Sequence, residues 1–571
     1  MKILMIFFSM LISSHLWAAP IIEGERAIPQ LGRHGMVVTS HPIATKYAHE
    51  VLQNGGNAID AAVTAGFVLA VTQPRSGNIG GGGFMLISSE ATGRVETIDY
   101  REKAPAAATR DMFLDSKGNV DKNLSRFSHK SAGVPGTVAG LLLALSRYGT
   151  ISRQRALAPA ISLAEKGFPL PERFVKGTVF AKDWLVRSPA SKKVFFKKDG
   201  SAYKAGEIFV QRDLAATLKR VAKEGRAGFY QGKTAQLVAD DMRKHGGLIT
   251  IDDLQDYQPK LRRPVVGTYR GYEVFSMGPP SSGGVHVIQL LKILEGYPLK
   301  EYGFGSAKTI HLMAEAMKRV YADRAKYLGD EDFVKVPVAG LTSASYAGAV
   351  RDQLGSKATP SQKIGPGRPP GYESNETTHF SIVDGEGNAV SNTYTINFSY
   401  GSGIVVAGAG FLLNNEMDDF SAKPGVANGF GLIGDKANQI EPGKRMLSSM
   451  SPTIVKKGRK NFLVTGSPGG SRIITTTLQV ILNVVDHGMN VQSAVNAPRI
   501  HHQWLPDEIR IEEGISPDTI KLLEGYGHKV VRRTAMGAIQ SILIKEDGAF
   551  LGAPDPRRST SSAIGVNKAV R

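Results

Sequence analysis

The chain has 571 residues, 42% of them hydrophobic and 21% charged, a globular composition with material for a large core. It has no cysteine, which excludes disulfides, thiolate nucleophiles and cysteine metal sites. The formal net charge of +19 admits an anionic partner, but the basic residues are spread along the chain and mixed with acids, with no RNP-like aromatic motif and no zinc finger, so a solvated basic surface is preferred over nucleic-acid binding.

Residues 1–19 read as a secretory signal. Lys2 gives the positive start, residues 3–12 are mostly apolar, and Ala18 and Ala19 offer a small-residue cut. The apolar stretch is short for an uncleaved anchor, and no later segment is long and apolar enough to span a bilayer. The expectation is an exported protein, periplasmic first and secreted second, held together by packing alone.

Asn57 can cap a helix over residues 58–71, with Ile59, Ala62, Val63, Gly66, Phe67 and Ala70 on one face and Pro74 ending it. The run Gly80-Gly81-Gly82-Gly83 precedes an apolar strand at 84–87. No Lys-Ser/Thr follows it, so it reads as a tight turn or a close approach of chains and not as a phosphate loop. Gly232-Lys233-Thr234 is rejected as a nucleotide loop too, because Ala227 stands where the first glycine is needed. Residues 357–376 have linker composition and lead as a tether into Glu376-Thr377-Thr378-His379.

Thr377 carries the main chemical idea. An internal threonine has only an amide nitrogen, but scission of the Glu376–Thr377 bond would leave an amine of pKa ~8 beside its hydroxyl, near enough to neutrality to act as its base. Residues 379–383 read as a strand, 384–388 as a turn and 389–397 as the return strand. With Val383 opposite Ala389, Thr377 falls opposite Thr395, and Thr395 and Asn397 share its face; a slip of one residue would break this. Residues 461–465 read as a second strand, followed by Gly466-Ser467-Pro468-Gly469-Gly470-Ser471-Arg472 and a helix over 473–487 capped by Gly488. A glycine loop opening a helix presents free N–H groups suited to an oxyanion, although taken alone a plain strand-to-helix turn is the simpler reading. Acids and amides at 412–420 beside an apolar strand could hold an ammonium group, and the serines within 444–452 could donate to a carboxylate; a surface loop is the alternative for both.

Together with Asp99-Tyr100-Arg101-Glu102, Gly133-Val134-Pro135-Gly136-Thr137 and Pro279-Pro280-Ser281-Ser282-Gly283-Gly284, these elements resemble, in order and spacing, the γ-glutamyltransferases (γ-glutamyl transpeptidases, glutathione hydrolases) of the N-terminal-nucleophile hydrolase superfamily. The resemblance covers nearly all of the chain after residue 19. It implies an α/β (α+β) four-layer αββα sandwich. It implies a zymogen that cleaves itself into a large subunit, 20–376, and a small subunit, 377–571, which stay together as a heterodimer. In that scheme Thr377 is the nucleophile, Thr395 positions it, and Gly469 and Gly470 form the oxyanion hole. Arg101, Ser448 and Ser449 hold the α-carboxylate of the γ-glutamyl group, while Asn397, Glu416 and Asp419 bind its α-amino group. Residues 424–438, including Phe430, resemble the lid loop of some members. Glu376 departs from the glutamine of some members, but that position need only supply a carbonyl. The implied substrates are glutathione and other γ-glutamyl compounds, with water, amino acids or dipeptides as acceptors. No metal or organic cofactor is expected; His501-His502 are adjacent, no His-Glu-x-x-His is present, and both read as structural. The competing readings are a cephalosporin (glutaryl) acylase of the same fold, which would lack the amino-group pocket, and a non-catalytic basic protein of the cell envelope.

Overall fold

The hairpin expected around residue 385 forms the middle of a sheet. The computed structural model, which describes residues 27–369 and 379–568, pairs His379–Asp384 with Ala389–Thr395 antiparallel, His379 opposite Thr393 and Val383 opposite Ala389. Gly387, at φ +88°, supplies the left-handed turn residue, and Asp384 Oδ1 accepts from the Glu386 and Asn388 amides at 3.0 Å each. Two strands laid down early in the chain flank the hairpin: Gly35–Thr39 pairs with its first strand and Gly82–Ser88 with its second. The full order of this antiparallel sheet is Ser562–Gly565, Gly35–Thr39, His379–Asp384, Ala389–Thr395, Gly82–Ser88, Val95–Asp99, Lys260–Arg262. A second antiparallel sheet runs Gln30–Gly32, Phe550–Pro554, Gln540–Ile544, Lys460–Gly466, Thr453–Lys457, Tyr272–Ser276, Val265–Tyr269.

The period of two along these strands sorts their side chains into separate cores. Phe380, Ile382 and Val390 face a helical layer with Ala58–Thr72. Val383, Ala389, Met36 and Phe84 point the other way, onto Ile454, Val464 and Ile542 of the second sheet. The far face of that sheet, with Val455 and Leu463, packs on the helices Gly283–Leu294 and Arg472–Val485. Helix, sheet, sheet, helix is the four-layer αββα arrangement expected.

Ala58–Thr72 starts at the expected cap: Asn57 Oδ1 accepts from the Ile59 and Asp60 amides, and Asp60 returns the bond to the Asn57 amide. All fifteen of its residues are buried, not one face, because it lies against neighbouring helices as well as the sheet. The glycine run is a close approach: a Cβ at Gly81 would overlap the Thr395 carbonyl oxygen. Gly232 opens the helix Gly232–His245 directly after the helix Ala227–Tyr230, with no strand before it, so the phosphate-loop geometry is absent there.

Two expectations change. The apolar strand expected beside the acids and amides of 412–420 is reduced to a single bridge of Leu412 to Val405, and Glu416–Asp419 is a 3-10 turn. The Asn414 side chain replaces strand pairing: it accepts from the Gly133 and Glu416 amides and donates to the Gly80 and Gly133 carbonyls. The tether is also shorter than its composition implies. Beyond the 3-10 turn Ser361–Lys363, its polar groups bond to the body: Ala358 N donates to Tyr526 O at 2.8 Å, Trp504 Nε1 to the Ser361 and Ile364 carbonyls at 3.0 Å, and Gly367 N to Asp323 at 2.8 Å. Its remainder, with Glu376 and Thr377, lies outside the described residues, as do residues 1–19. No described helix is long and apolar enough to cross a membrane.

Candidate active site

The strand Ala389–Thr395 delivers Thr395, 3% exposed, to the end of the gap between the sheets. Among the described residues the pairing starts at His379–Thr393; the expected Thr377–Thr395 pair involves a residue outside them. After Thr395 the chain turns sharply. Asn397 takes φ +70°, a left-handed conformation that asparagine tolerates better than most residues, and its amide donates to Thr395 Oγ1 at 2.7 Å. Asn397 Nδ2 donates to Asn415 O at 2.9 Å, tying the turn to the segment that carries Glu416 and Asp419.

The second sheet supplies the facing wall. Lys460–Gly466 runs into Gly469 (φ +139°) and Gly470 (φ +60°), and the helix Arg472–Val485 follows. These values of φ are accessible to glycine and strained for other residues. Neither glycine amide donates to an acceptor among the described residues. Thr395, Asn397, Gly469 and Gly470 line one cavity of about 330 Å³, so the structure brings four of the expected residues together.

Of the other five, Arg101, Glu416 and Asp419 form a buried cluster and Ser448 and Ser449 are buried separately; none lines that cavity. Arg101 is fully buried, with Nη1 on Glu416, Nη2 on Asp419 Oδ2 at 2.7 Å, Glu102 Oε2 at 3.6 Å, and Nε donating to Met446 O at 3.3 Å. Burial lowers the Arg101 pKa, but the Glu416, Glu102 and Asp419 carboxylates outweigh it and raise it overall. Burial pushes the Glu102 carboxyl up, against the pull of Arg101. The Arg101 guanidinium is thus shared by the Glu416, Asp419 and Glu102 carboxyl groups. Ser448 and Ser449 are fully buried just beyond Met446; Ser282 Oγ donates to Ser448 O at 3.1 Å and Ser451 Oγ to Ser449 O at 3.0 Å. The guanidinium assigned to a substrate carboxylate and the carboxylates assigned to its ammonium are here each other's partners.

The loop around Phe430 links cavity and cluster. Asn428 Nδ2 donates to Asp419 Oδ1 at 3.2 Å, Gly429 N donates to Asp418 Oδ2 at 2.9 Å, and the Phe430 ring lies on Gly470, where a Cβ would meet it at 2.5 Å. Sequence reasoning gave no role to Glu102, Asn428, Arg75, Trp184 or Arg558. Glu102 adjoins Arg101 in the motif at 99–102 and Asn428 lies in the loop 424–438, while Arg75, Trp184 and Arg558 carry no local pattern.

His379, closest in sequence to Thr377 among the described residues, is a poor base: burial lowers its pKa to about 3, and its nitrogens contact Thr393 Oγ1 (3.1 Å) and Ser381 Oγ (2.7 Å). His501 and His502 are buried, with contacts to Thr475, Gln503 and Asp507, in keeping with structural roles. Among the described residues one group, His129, Asp241 and His245, has the donor spacing for a metal ion, and it shares no residue with the cavity.

The fold is the αββα sandwich of the N-terminal-nucleophile hydrolases. The chain belongs to the gamma-glutamyltranspeptidase family, whose profile matches residues 44–565. It is similar to the glutathione hydrolase proenzyme of Escherichia coli (strain K12), 53% identical over 94% of this chain and 92% of that protein. Among solved structures, the cephalosporin acylase from Bacillus halodurans superposes with a TM-score of 0.86 at 27% identity, over 97% of this chain and 99% of its own. A chain of the Helicobacter pylori gamma-glutamyltranspeptidase, 47% identical with a TM-score of 0.57, is covered over 97% of its length by 61% of this one.

Proposed function

We propose that this protein is an exported glutathione hydrolase and γ-glutamyltransferase that cuts itself between Glu376 and Thr377. Thr377 Oγ attacks the Glu376 carbonyl, the acyl group passes from nitrogen to oxygen, and water hydrolyses the ester. This frees the Glu376 carboxylate and leaves Thr377 with a hydroxyl and an amine. In turnover the amine takes the hydroxyl proton as Oγ attacks the γ-amide carbonyl, the Gly469 and Gly470 amides receive the oxyanion, and the proton passes to the leaving amine. Glutathione thus releases cysteinylglycine, and water or an acceptor amine takes the γ-glutamyl group from the ester. Arg101, Ser448 and Ser449 hold the donor's α-carboxylate, and Asn397, Glu416 and Asp419 its ammonium; the donor would open part of the Arg101 ion-pair cluster on entering.

The observation that carries this reading is the hairpin register. Among the described residues it is the register from which the pairing of Thr377 with Thr395 is expected, and Thr395 shares a cavity with Gly469 and Gly470. The share of this chain that spans the H. pylori chain is close to what residues 20–376 make of the sequence. The identity of 53% to a glutathione hydrolase proenzyme, against 39% to an acylase proenzyme, and the Glu416 and Asp419 carboxylates beside Arg101 favour a γ-glutamyl over a glutaryl donor.

Intact mass of the purified protein is expected to show two polypeptides, one beginning just after the signal and one at Thr377. The Thr377→Ala protein is expected to remain one chain and to release no nitroaniline from γ-glutamyl-4-nitroanilide. Two fragments from that variant, or an uncut and fully active wild type, would refute the scheme.

A further inference from the structure

Arg75, Arg173 and Arg558 gather near the mouth of the cavity. Arg75 follows Pro74 beyond the helix Ala58–Thr72, Arg173 lies in Glu172–Phe180, and Arg558 precedes the strand Ser562–Gly565. Arg75 and Arg558 line the cavity with Arg472. Among the described residues, none of the first three has a carboxylate within 4.0 Å; Arg75 makes a hydrogen bond to Ser399 Oγ at 3.1 Å. Asp555, whose charge reaches Arg558, is already paired with Arg499 at 2.6 Å and Arg557 at 3.3 Å. Desolvation and the like charges of Arg75 and Arg173 push the Arg558 pKa down, and desolvation and Arg75 do the same to Arg173. Elsewhere this chain neutralises its buried arginines, as at Arg101, Arg262 and Arg499. An uncompensated cluster of like charge at a cavity mouth opposes folding and attracts anions.

The same mouth carries an aromatic wall. Phe180 and Trp184 line it in edge contact, ring centroids 5.6 Å apart, and Phe180 is 75% exposed. Thr395 and the glycine pair, which the γ-glutamyl reading sets at the reacting carbonyl, line the same cavity. A ligand filling the outer part brings a negative group to the arginines and an apolar group to the rings, and it reaches the reacting carbonyl with an amine.

We propose that Arg75 and Arg558 hold the carboxylate, and Phe180 and Trp184 the side chain, of the amino acid or peptide that leaves or accepts the γ-glutamyl group. This rests on the γ-glutamyl reading above and adds the residues that select the second substrate. Arg173 adds positive charge behind the pair.

The test uses the processed enzyme with γ-glutamyl-4-nitroanilide, whose leaving group is uncharged, and with its 3-carboxy derivative. L-phenylalanine and L-phenylalaninamide serve as acceptors. In Arg75→Gln and Arg558→Gln, kcat/KM for transfer to phenylalanine is expected to fall about tenfold or more, the scale of one lost charge-assisted hydrogen bond. Transfer to the amide should fall far less, and Lys at either position should recover part of the loss. A loss confined to the carboxylated donor would assign the arginines to the leaving group, and a loss confined to phenylalanine to the acceptor; either supports the subsite. Equal effects on acid and amide, or none, would overturn it. Phe180→Ala alters an exposed side chain and keeps the question open if the arginine variants do not fold: an unchanged preference for phenylalanine over glycine would also overturn the proposal. Failure of wild-type protein to hydrolyse either donor would instead refute the γ-glutamyl reading itself.

Discussion

Asp323 shows how far one carboxyl can be shifted by its place in the fold. It lies in the helix Ala307–Tyr327 at 1% exposure and accepts from Gly367 N at 2.8 Å, Gln289 Nε2 at 2.8 Å and Tyr346 OH at 2.9 Å. Burial raises its pKa to about 6 from 3.8, against the pull of those donors. Between these two values the folded state binds more protons than the unfolded state. The stability Asp323 contributes is therefore complete below the unfolded value and is lost as pH rises through about 6. A shift of that size corresponds to on the order of 3 kcal/mol. Urea unfolding at a series of pH values is expected to show the advantage of wild type over Asp323→Asn shrinking by that order between pH 4 and pH 7. A difference between the two proteins that does not change with pH would refute the assignment.

At the scale of elements, the parts of the site that could be read from sequence are those whose geometry is local. The register of His379–Asp384 on Ala389–Thr395 follows from a period of two and an Asp-Gly turn, and the glycine loop before Arg472–Val485 follows from its composition. The 3-10 turn at Glu416–Asp419 was hidden because Asn414, an ordinary polar residue in sequence, takes over the backbone bonds of residues far away. The direct pairing of Arg101 with Glu416 and Asp419 was hidden for the same reason: it forms only when distant segments meet. Arg75 and Arg558 lie near opposite ends of the chain and share a cavity only through the interleaved sheets. The Gly470 contact gives a prediction at this scale. Alanine there would hold a strained φ of +60° and drive its Cβ into the Phe430 ring. Gly470→Ala is expected to lower kcat on γ-glutamyl-4-nitroanilide by about 10²-fold, as for a displaced oxyanion donor. If the clash with the ring contributes, Phe430→Ala should restore part of the loss, so the two effects would not add. Strict additivity would show the backbone strain alone to be responsible.

For the whole molecule, the proposed cut at residue 376 falls in a fold whose two pieces cannot be separated layer by layer. Gly35–Thr39 lies between Ser562–Gly565 and His379–Asp384, and Gly82–Ser88 pairs with Ala389–Thr395, so strands before and after the cut alternate across one sheet. In the other sheet Thr453–Lys457 pairs with Tyr272–Ser276 and Phe550–Pro554 with Gln30–Gly32. The core between the sheets draws Met36, Phe84 and Met277 from one side of the cut and Val383, Ile454 and Ile542 from the other. Separation would therefore expose sheet edges and apolar faces together. The processed protein is expected to elute as one species in native buffer, to resolve into two polypeptides only in denaturant, and to unfold in a single transition followed by circular dichroism. Residues 20–376 expressed alone are expected to lack fixed side-chain packing. A near-ultraviolet dichroism spectrum and cooperative unfolding from that piece alone would show that it carries a complete core, and the mutual dependence of the two pieces would be refuted.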